Sequence, residues 1–367
     1  MREYDHYRTA LVLQGGGALG AYEYGVLRAL YEKRPRFVPA VITGVSIGAI
    51  NAAILAGAKD DPIQTLDTVW RRDFTEPGCL PPLVEAWYDA LVPSNLAAYA
   101  SMAGNHGMYR INPEYVVDPF HATSIYDLLP LRETLSRVID LHRLNSSDVT
   151  RVSLDAVDVA TSKLVSFDNR SGLSFEHIIA SASLPPSFPM TRIGSDNFWD
   201  GGLISNTPLS SAINCLEELD ADEPDVHREL IVVELFPRSE KIPTDLLGVI
   251  NRSVELRYIN RLAVDKRLFA KVDSFIDLRR DIDDLLGQVG HIPTADKIRQ
   301  SPGYKELAKH RKIDSFKVIR CQNLPADRAY AGDFSRSTIE LRIEAGYKDA
   351  LTAYIGDPSA STLECGE

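Results

Sequence analysis

The chain has 367 residues, 44% hydrophobic and 25% charged, enough apolar material for one large core or two smaller ones. A formal net charge of −11 argues against a nucleic-acid partner, which requires a basic footprint, although local patches can still meet a membrane. Four cysteines (Cys79, Cys215, Cys321, Cys365) stand far apart without C-x-x-C spacing, which argues against a disulfide scaffold or zinc site and for a reducing compartment.

The opening MREYDHYRTA is polar and of mixed charge, unlike a secretory signal. Residues 10–13 form an apolar run that predicts a strand, and residues 21–31 have helical spacing. Between them, Gly15, Gly17 and Gly20 satisfy G-x-G-x-x-G. Such a loop can cradle a dinucleotide pyrophosphate. It can equally free backbone N–H groups to hold an oxyanion at a helix N-terminus. A second strand is predicted over residues 40–45 and a second helix over 47–58. Residues 37–58 carry no charge and are long enough to imitate a membrane span. Pro39, Thr43, Gly44, Ser46, Gly48 and Asn51 interrupt the stretch, so a buried strand, a sharp turn and a buried helix account for it better.

A dinucleotide turn needs a carboxylate about 20 residues on, at the tip of the second strand. No Asp or Glu lies between Glu32 and Asp60, and Arg34 and Arg36 precede that strand rather than cap it. The second strand leads instead into Gly44-Val45-Ser46-Ile47-Gly48, a G-x-S-x-G between a strand and a helix. A nucleophile on so tight a turn needs small flanking residues, and the helix behind it aims free N–H groups at the reacting centre. A serine that merely caps the helix is the plainer alternative.

Further along, residues 70–126 are rich in aromatics (Trp70, Phe74, Trp87, Tyr88, Tyr99, Tyr109, Tyr115, Phe120, Tyr126). They read as an inserted helical subdomain with its own core, or as a cap lining an apolar channel. Strands are expected at 151–159, 163–167, 230–236 and 316–321, and helices at 209–219, through much of 244–270 and at 335–354. Alternating strands and helices imply a parallel sheet covered on both faces. Asp200 lies on a loop between a strand-like segment and Gly201-Gly202, where a plain turn is the simplest account. Thr207 then reads as an N-cap with Pro208 first in the following helix. In the charged region beyond about 243, Arg252, Arg257, Arg261, Lys266, Arg267 and Lys271 outnumber Glu255 and Asp265. A solvated face explains them, with membrane-surface docking as the alternative. None of the eight histidines sits in a distinctive motif.

Four stretches in this order, QGGGALGAYEYGVL (14–27), GVSIGAINA (44–52), ASASLPPSFP (180–189) and WDGGLISNTP (199–208), resemble the patatin-like phospholipase family. The resemblance spans about residues 9–219 and is far more specific as an ordered set than any one member. A looser match covers FSRSTIELRIEAGYKDAL (334–351). The resemblance implies a three-layer α/β/α fold with a mostly parallel central sheet, a helical insert and a helical C-terminal extension. It places a catalytic domain over residues 1–240, the insert at about 70–126 and the extension at 241–367. It implies a Ser–Asp dyad without histidine: Ser46 as nucleophile, Asp200 as general base, and Gly15, Gly16 and Gly17 as oxyanion-hole donors, with Gly44 and Gly48 framing the elbow. Neither cofactor nor metal is implied. The expected substrate is a lipid acyl ester, a phospholipid or lysophospholipid first. Neutral esters, polyester oligomers, transfer to an alcohol, and non-catalytic lipid binding stay open. The expected setting is cytoplasmic, with peripheral membrane contact as an alternative. Leu19 stands where many relatives carry Arg or Lys, which removes a cation near the oxyanion hole and bears on the preference for anionic head groups. The dyad and a histidine triad differ measurably: the dyad predicts that His291→Ala and His310→Ala both retain ester hydrolysis, whereas a triad predicts that one of them abolishes it.

Overall fold

A computed structural model describes residues 7–34, 37–75, 104–146, 150–220, 226–236, 242–244, 246–289, 293–321, 324 and 331–355. Strand β1 (Tyr7–Leu13) leads through the glycine loop into helix α1 (Gly20–Lys33). Strand β2 (Val41–Gly44) leads through the serine turn into α2 (Ile47–Gly57), followed by α3 (Pro62–Thr68). The uncharged stretch 37–58 is thus a strand, a turn and a buried helix. Among the described residues, no helix is long and apolar enough to cross a membrane.

After α3 come β3 (Gly104–Asn105), β4 (Tyr109–Ile111), α4 (Pro113–Val117) and β5 (Tyr126–Asp127), whose strands form a small antiparallel sheet. Helices α5 (Leu129–Val138) and α6 (Leu141–Leu144) return the chain to the main body. There follow β6 (Arg151–Asp158), β7 (Leu164–Asp168), α7 (Phe175–Ser181), β8 (Thr191–Ile193), β9 (Asp196–Asp200), α8 (Leu209–Leu219) and β10 (His227–Glu234). Beyond them lie α9 (Leu246–Val289), α10 (Pro293–Gln300), α11 (Pro302–Leu307), β11 (Ser315–Arg320) and α12 (Arg336–Ile355).

The main sheet runs β11-β10-β1-β2-β6-β9-β8, with β7 also on β6. Pairings from β11 through β6 are parallel, whereas β7, β9 and β8 pair antiparallel. Alternation along β1 makes it a three-layer α/β/α structure. Leu11 and Leu13 face a core built with α1, α2 and α12, while Ala10 and Val12 face one built with α8 and with Leu262 of α9. Cys215 and Cys321 are buried and form no disulfide; Cys79 and Cys365 lie outside the described residues.

The register around β6 brings distant parts of the chain together. Residues 153–157 of β6 pair with β7 along one edge. Residues 151–154 pair with β2, and 156–158 with β9. Since Ser153 and Leu154 bond both β2 and β7, and Ala156 and Val157 both β9 and β7, β2 and β9 must share the opposite edge. They run antiparallel to each other and meet end to end, Gly44 opposite Leu154 and Asp200 opposite Ala156. The turn after β2 and the turn after β9 therefore face each other.

Among the described residues of 70–126, Trp70, Phe74, Tyr109 and Tyr126 join the main core rather than one of their own. Trp70 and Phe74 are buried in the main core, and Tyr109 packs on Phe188 and Phe334 at ring separations of 5.5 and 6.3 Å. Tyr115 and Phe120 are exposed, and Trp87, Tyr88 and Tyr99 lie outside the described residues.

Helices α1 and α12 cross with backbones nearly touching. A Cβ on Gly25 would sit 2.0 Å from the Ile343 carbonyl oxygen, and one on Gly346 at 2.0 Å from that of Tyr22. The Tyr22 hydroxyl donates to Asp349 at 2.9 Å across the same seam. Gly25→Ala would raise stability on an exposed helix; here it is expected to lower it by about 1–3 kcal/mol, read as a lower urea midpoint at unchanged slope.

Candidate active site

Ser46 sits between β2 and α2 with φ 57° and ψ −124°, a backbone conformation that costs a side-chain-bearing residue strain. The flanking glycines make the turn possible. A Cβ on Gly44 would lie 2.4 Å from the Gly48 carbonyl oxygen, and one on Gly48 at 2.5 Å from that of Leu13. The Ser46 N–H is held by the Ser181 carbonyl at 3.0 Å and by the Ser181 hydroxyl at 3.2 Å. Ser46 stays half-buried.

Asp200, at the end of β9, is 1% exposed. Its N–H bonds the Ser183 carbonyl at 3.0 Å, and its Oδ1 accepts from the Gly202 N–H at 2.7 Å. Burial pushes its carboxyl from 3.8 up to about 7, opposed by a hydrogen bond from the Ser46 side chain and by the Gly202 N–H. Nucleophile candidate and base candidate therefore meet directly. The C-terminal end of α7 and the residues just after it brace both, Ser181 holding Ser46 and Ser183 holding Asp200. The Ser181 hydroxyl in turn donates to the Asp155 carbonyl at 2.7 Å, at the point on β6 where β2 and β9 meet.

The glycine loop closes a third side. A Cβ on Gly15 would fall 2.9 Å from Ser46 Cβ and 2.4 Å from Asn206 Oδ1, so only glycine allows this approach. Asn206 Nδ2 donates to the Gly15 carbonyl at 2.8 Å. Gln14 donates to the Thr207 hydroxyl at 2.7 Å and accepts from the Leu235 N–H at 2.9 Å. Gly17 takes φ +55°, and the next residue, Ala18, donates its N–H to the Ala331 carbonyl at 2.7 Å. Among the described residues, the N–H groups of Gly15, Gly16 and Gly17 make no hydrogen bond. Leu19 is fully buried.

Thr207 does not cap the following helix. Pro208 occupies the cap position and α8 begins at Leu209. The Thr207 hydroxyl is engaged by Gln14 instead, while the Pro208 carbonyl accepts both from the Thr43 hydroxyl at 3.1 Å and from the Ala212 N–H of α8 at 3.2 Å. Beneath the loop, Asn51 Nδ2 donates to the Gly20 carbonyl at 3.1 Å and to Glu23 at 2.9 Å, while the Trp70 indole N–H donates to Asn51 Oδ1 at 3.0 Å. Burial drives the Glu23 carboxyl well above the ordinary range. Glu23, Asn51, Gln14, Ser181, Ser183 and Asn206 all lie within the four family-like stretches, but the sequence assigns none of them an individual role. An acid within an apolar helix and polar residues at strand or helix ends were the available hints.

Three of the described histidines are engaged elsewhere. His310 faces Glu217 at 3.2 Å, His177 bonds Ser174, and His227 lies 3.8 Å from Asp314. His291 lies outside the described residues. Among the described residues, no group of His, Cys, Asp or Glu is arranged to hold a metal.

A doubly covered, mostly parallel sheet with a strained serine between strand and helix, facing a buried carboxyl, defines an α/β protein of the serine-elbow class. Residues 11–213, over half the chain, match the model of the patatin-like phospholipase family, and the chain belongs to that family. A patatin-like phospholipase domain-containing protein of Emericella nidulans is 42% identical over 59 residues, 16% of this chain and 8% of that protein. One from Neurospora crassa is 42% identical over 62 residues, 17% and 7% of the two chains. The chain thus matches under a tenth of the length of these curated relatives. Among solved structures, VipD from Legionella pneumophila is similar over 96% of this chain and 67% of its own, at 14% identity and a TM-score of 0.43. ExoU in its complex with SpcU from Pseudomonas aeruginosa is similar over 94% and 74%, at 17% identity and a TM-score of 0.28.

The raised Asp200 carboxyl has a signature in stability. An unfolded chain releases this proton near 3.8, the folded chain at about 7. The stabilisation is complete below the lower value, declines as pH rises between the two, and is gone above the upper. Asp155, pushed by burial to about 6 against bonds from Ser166 and Ser211, acts with the same sign. Asp200→Asn is therefore expected to make the fall in melting temperature across that window shallower than in the wild type; parallel curves would contradict the assignment.

Proposed function

We propose that the protein hydrolyses lipid carboxylic esters, in the manner of a phospholipase A or lysophospholipase, through Ser46, Asp200 and the glycine loop. The observation that carries this reading is the Ser46 hydroxyl bonded to a buried carboxyl whose proton affinity is raised to about 7. A base works best when its pKa lies near the working pH. Serine at its ordinary acidity is a poor nucleophile and needs such a neighbour.

In the proposed reaction the Ser46 Oγ attacks the ester carbonyl carbon while Asp200 takes the hydroxyl proton. The tetrahedral oxyanion is held by backbone N–H groups of Gly15, Gly16 and Gly17, with that of Ile47 at the start of α2 as a further donor. Each such donor is worth about 3–4 kcal/mol of transition-state stabilisation. Collapse breaks the bond to the leaving alkoxide, which takes the proton from Asp200. Water then attacks the acyl-serine, giving its proton to Asp200, and the acid leaves as the proton returns to Ser46. The unbonded N–H groups of the loop, the partial exposure of Ser46 and membership of the patatin-like family support this sequence. Gly44 and Gly48 serve it by shaping the turn.

Ser46→Ala and Asp200→Asn are each expected to lower hydrolysis of p-nitrophenyl esters by roughly 10³-fold or more while the circular dichroism spectrum is kept. Equal turnover in wild type and Ser46→Ala would leave a lipid-binding protein as the answer. In the wild type, kcat/KM is expected to climb with pH through about 7, as Asp200 loses its proton and becomes a base. A profile already flat from pH 5 upward would contradict that role.

A further inference from the structure

Helix α9 is apolar on two opposite sides. Leu262 is fully buried in the core under α8 and β10, Phe269 packs on that core, Ile276 is buried, and Tyr258 packs on Phe236 at 5.2 Å. At about 100° per residue these four residues define one side of the helix. The other side presents Leu256, Val264, Leu268, Phe275, Leu278 and Leu285, each 44–59% exposed. Projected at the same pitch, these six fall within an arc of roughly 120°. A soluble helix has no need of a second apolar side.

Charge is segregated with it. Three exposed cations, Arg257, Arg267 and Lys271, project within the same arc, and a fourth, Arg280, lies on the opposite side within 3.7 Å of Asp277; the helix's acids fall outside the arc, Asp281 nearest at about 20° beyond its edge. Several acids are used on the body side: Glu255 by Arg252, Asp277 by Lys312 and Asp283 by Tyr304. The exposed side is therefore apolar and cationic on a chain whose net charge is −11. Two copies packed through it would bring like charges together. Anionic head groups above an apolar layer complement it, the cations lying at head-group level and the leucines and Phe275 below.

The helix also borders the site. Tyr258, whose phenol is raised by burial and then by Asp200, ties the body-facing side of α9 to the catalytic carboxyl. Leu203 and Ile204, just beyond Asp200-Gly201-Gly202, are 46% and 43% exposed.

We propose that the outer side of α9 docks on an anionic lipid surface and holds the Ser46–Asp200 site against it. The choice of lipid over a protein partner rests on the acyl hydrolase reading; the geometry of the patch does not. The test uses the full chain carrying Ser46→Ala, so that binding is read without hydrolysis. It is sedimented with vesicles of phosphatidylcholine alone or mixed with phosphatidylserine. Binding is expected to the mixed vesicles, to weaken with salt, and to fall at least tenfold in both Leu268→Glu/Phe275→Glu and Arg267→Glu/Lys271→Glu. With Ser46 restored, the same pairs should keep turnover of a soluble short-chain ester and lose that of vesicle lipid. Asp284→Lys, outside the arc, should leave binding unchanged. Equal sedimentation of all variants, or none by the parent, would overturn the proposal. A dimer of the parent that these pairs dissociate would do so too, making a second copy the occupant. Vesicle binding without any esterase activity in the wild type would sink the hydrolase reading and leave the docking surface standing.

Discussion

A carboxyl group removed from water beside a hydroxyl is the constraint around which this molecule is arranged. Burying Asp200 disfavours its charged form, and the Ser46 hydroxyl and the Gly202 N–H ease that cost. Neither partner would be in place without the register of β6, on one edge of which β2 and β9 arrive from opposite directions. The strained Ser46 backbone is fixed by the same geometry: Ser181 takes its N–H from outside the turn, and Gly48 lets α2 press against the end of β1. Strain of this kind persists only where its surroundings over-determine it.

Much of this was legible because local chemistry declares itself. Glycine clusters, an apolar run broken by a serine, and D-G-G each mark a backbone that must turn sharply or approach closely. The elbow, the glycine loop and the Asp200 turn could therefore be located without coordinates. Polar residues that act across the fold left no such mark. Gln14 and Thr207 meet over a sequence gap that no periodicity encodes, and Thr207, a good capping residue by local rules, is taken by that tertiary bond. Ser181 and Ser183 sit in the ASASLPPSFP stretch as small residues without a role of their own, yet in the fold they hold the backbones of Ser46 and Asp200. Strand β8 and the pairing of β9 were missed because short, half-exposed strands carry little alternation to read.

The aromatic stretch 70–126 shows a different limit. Composition could suggest a separate subdomain or a cap, but not where each ring goes. Trp70 is committed to hydrogen bonding Asn51 beneath the glycine loop, and Tyr109 to stacking beside Phe188. The basic character of α9 was likewise visible as a count of arginines and lysines. Its meaning depends on which side of the helix the body occupies, and that is a property of packing.

The bond from the Ala18 N–H to the Ala331 carbonyl, together with the α1–α12 crossing, gives the molecule an order of assembly. The shoulder of the glycine loop is shaped by a segment that the ribosome makes long after the loop itself. Contacts so remote in sequence form slowly, since a large loop must close before they reward the chain. A nascent polypeptide can complete its serine turn once β6 and Ser181 have emerged, but the amide cradle beside it reaches its final shape only once α12 has docked.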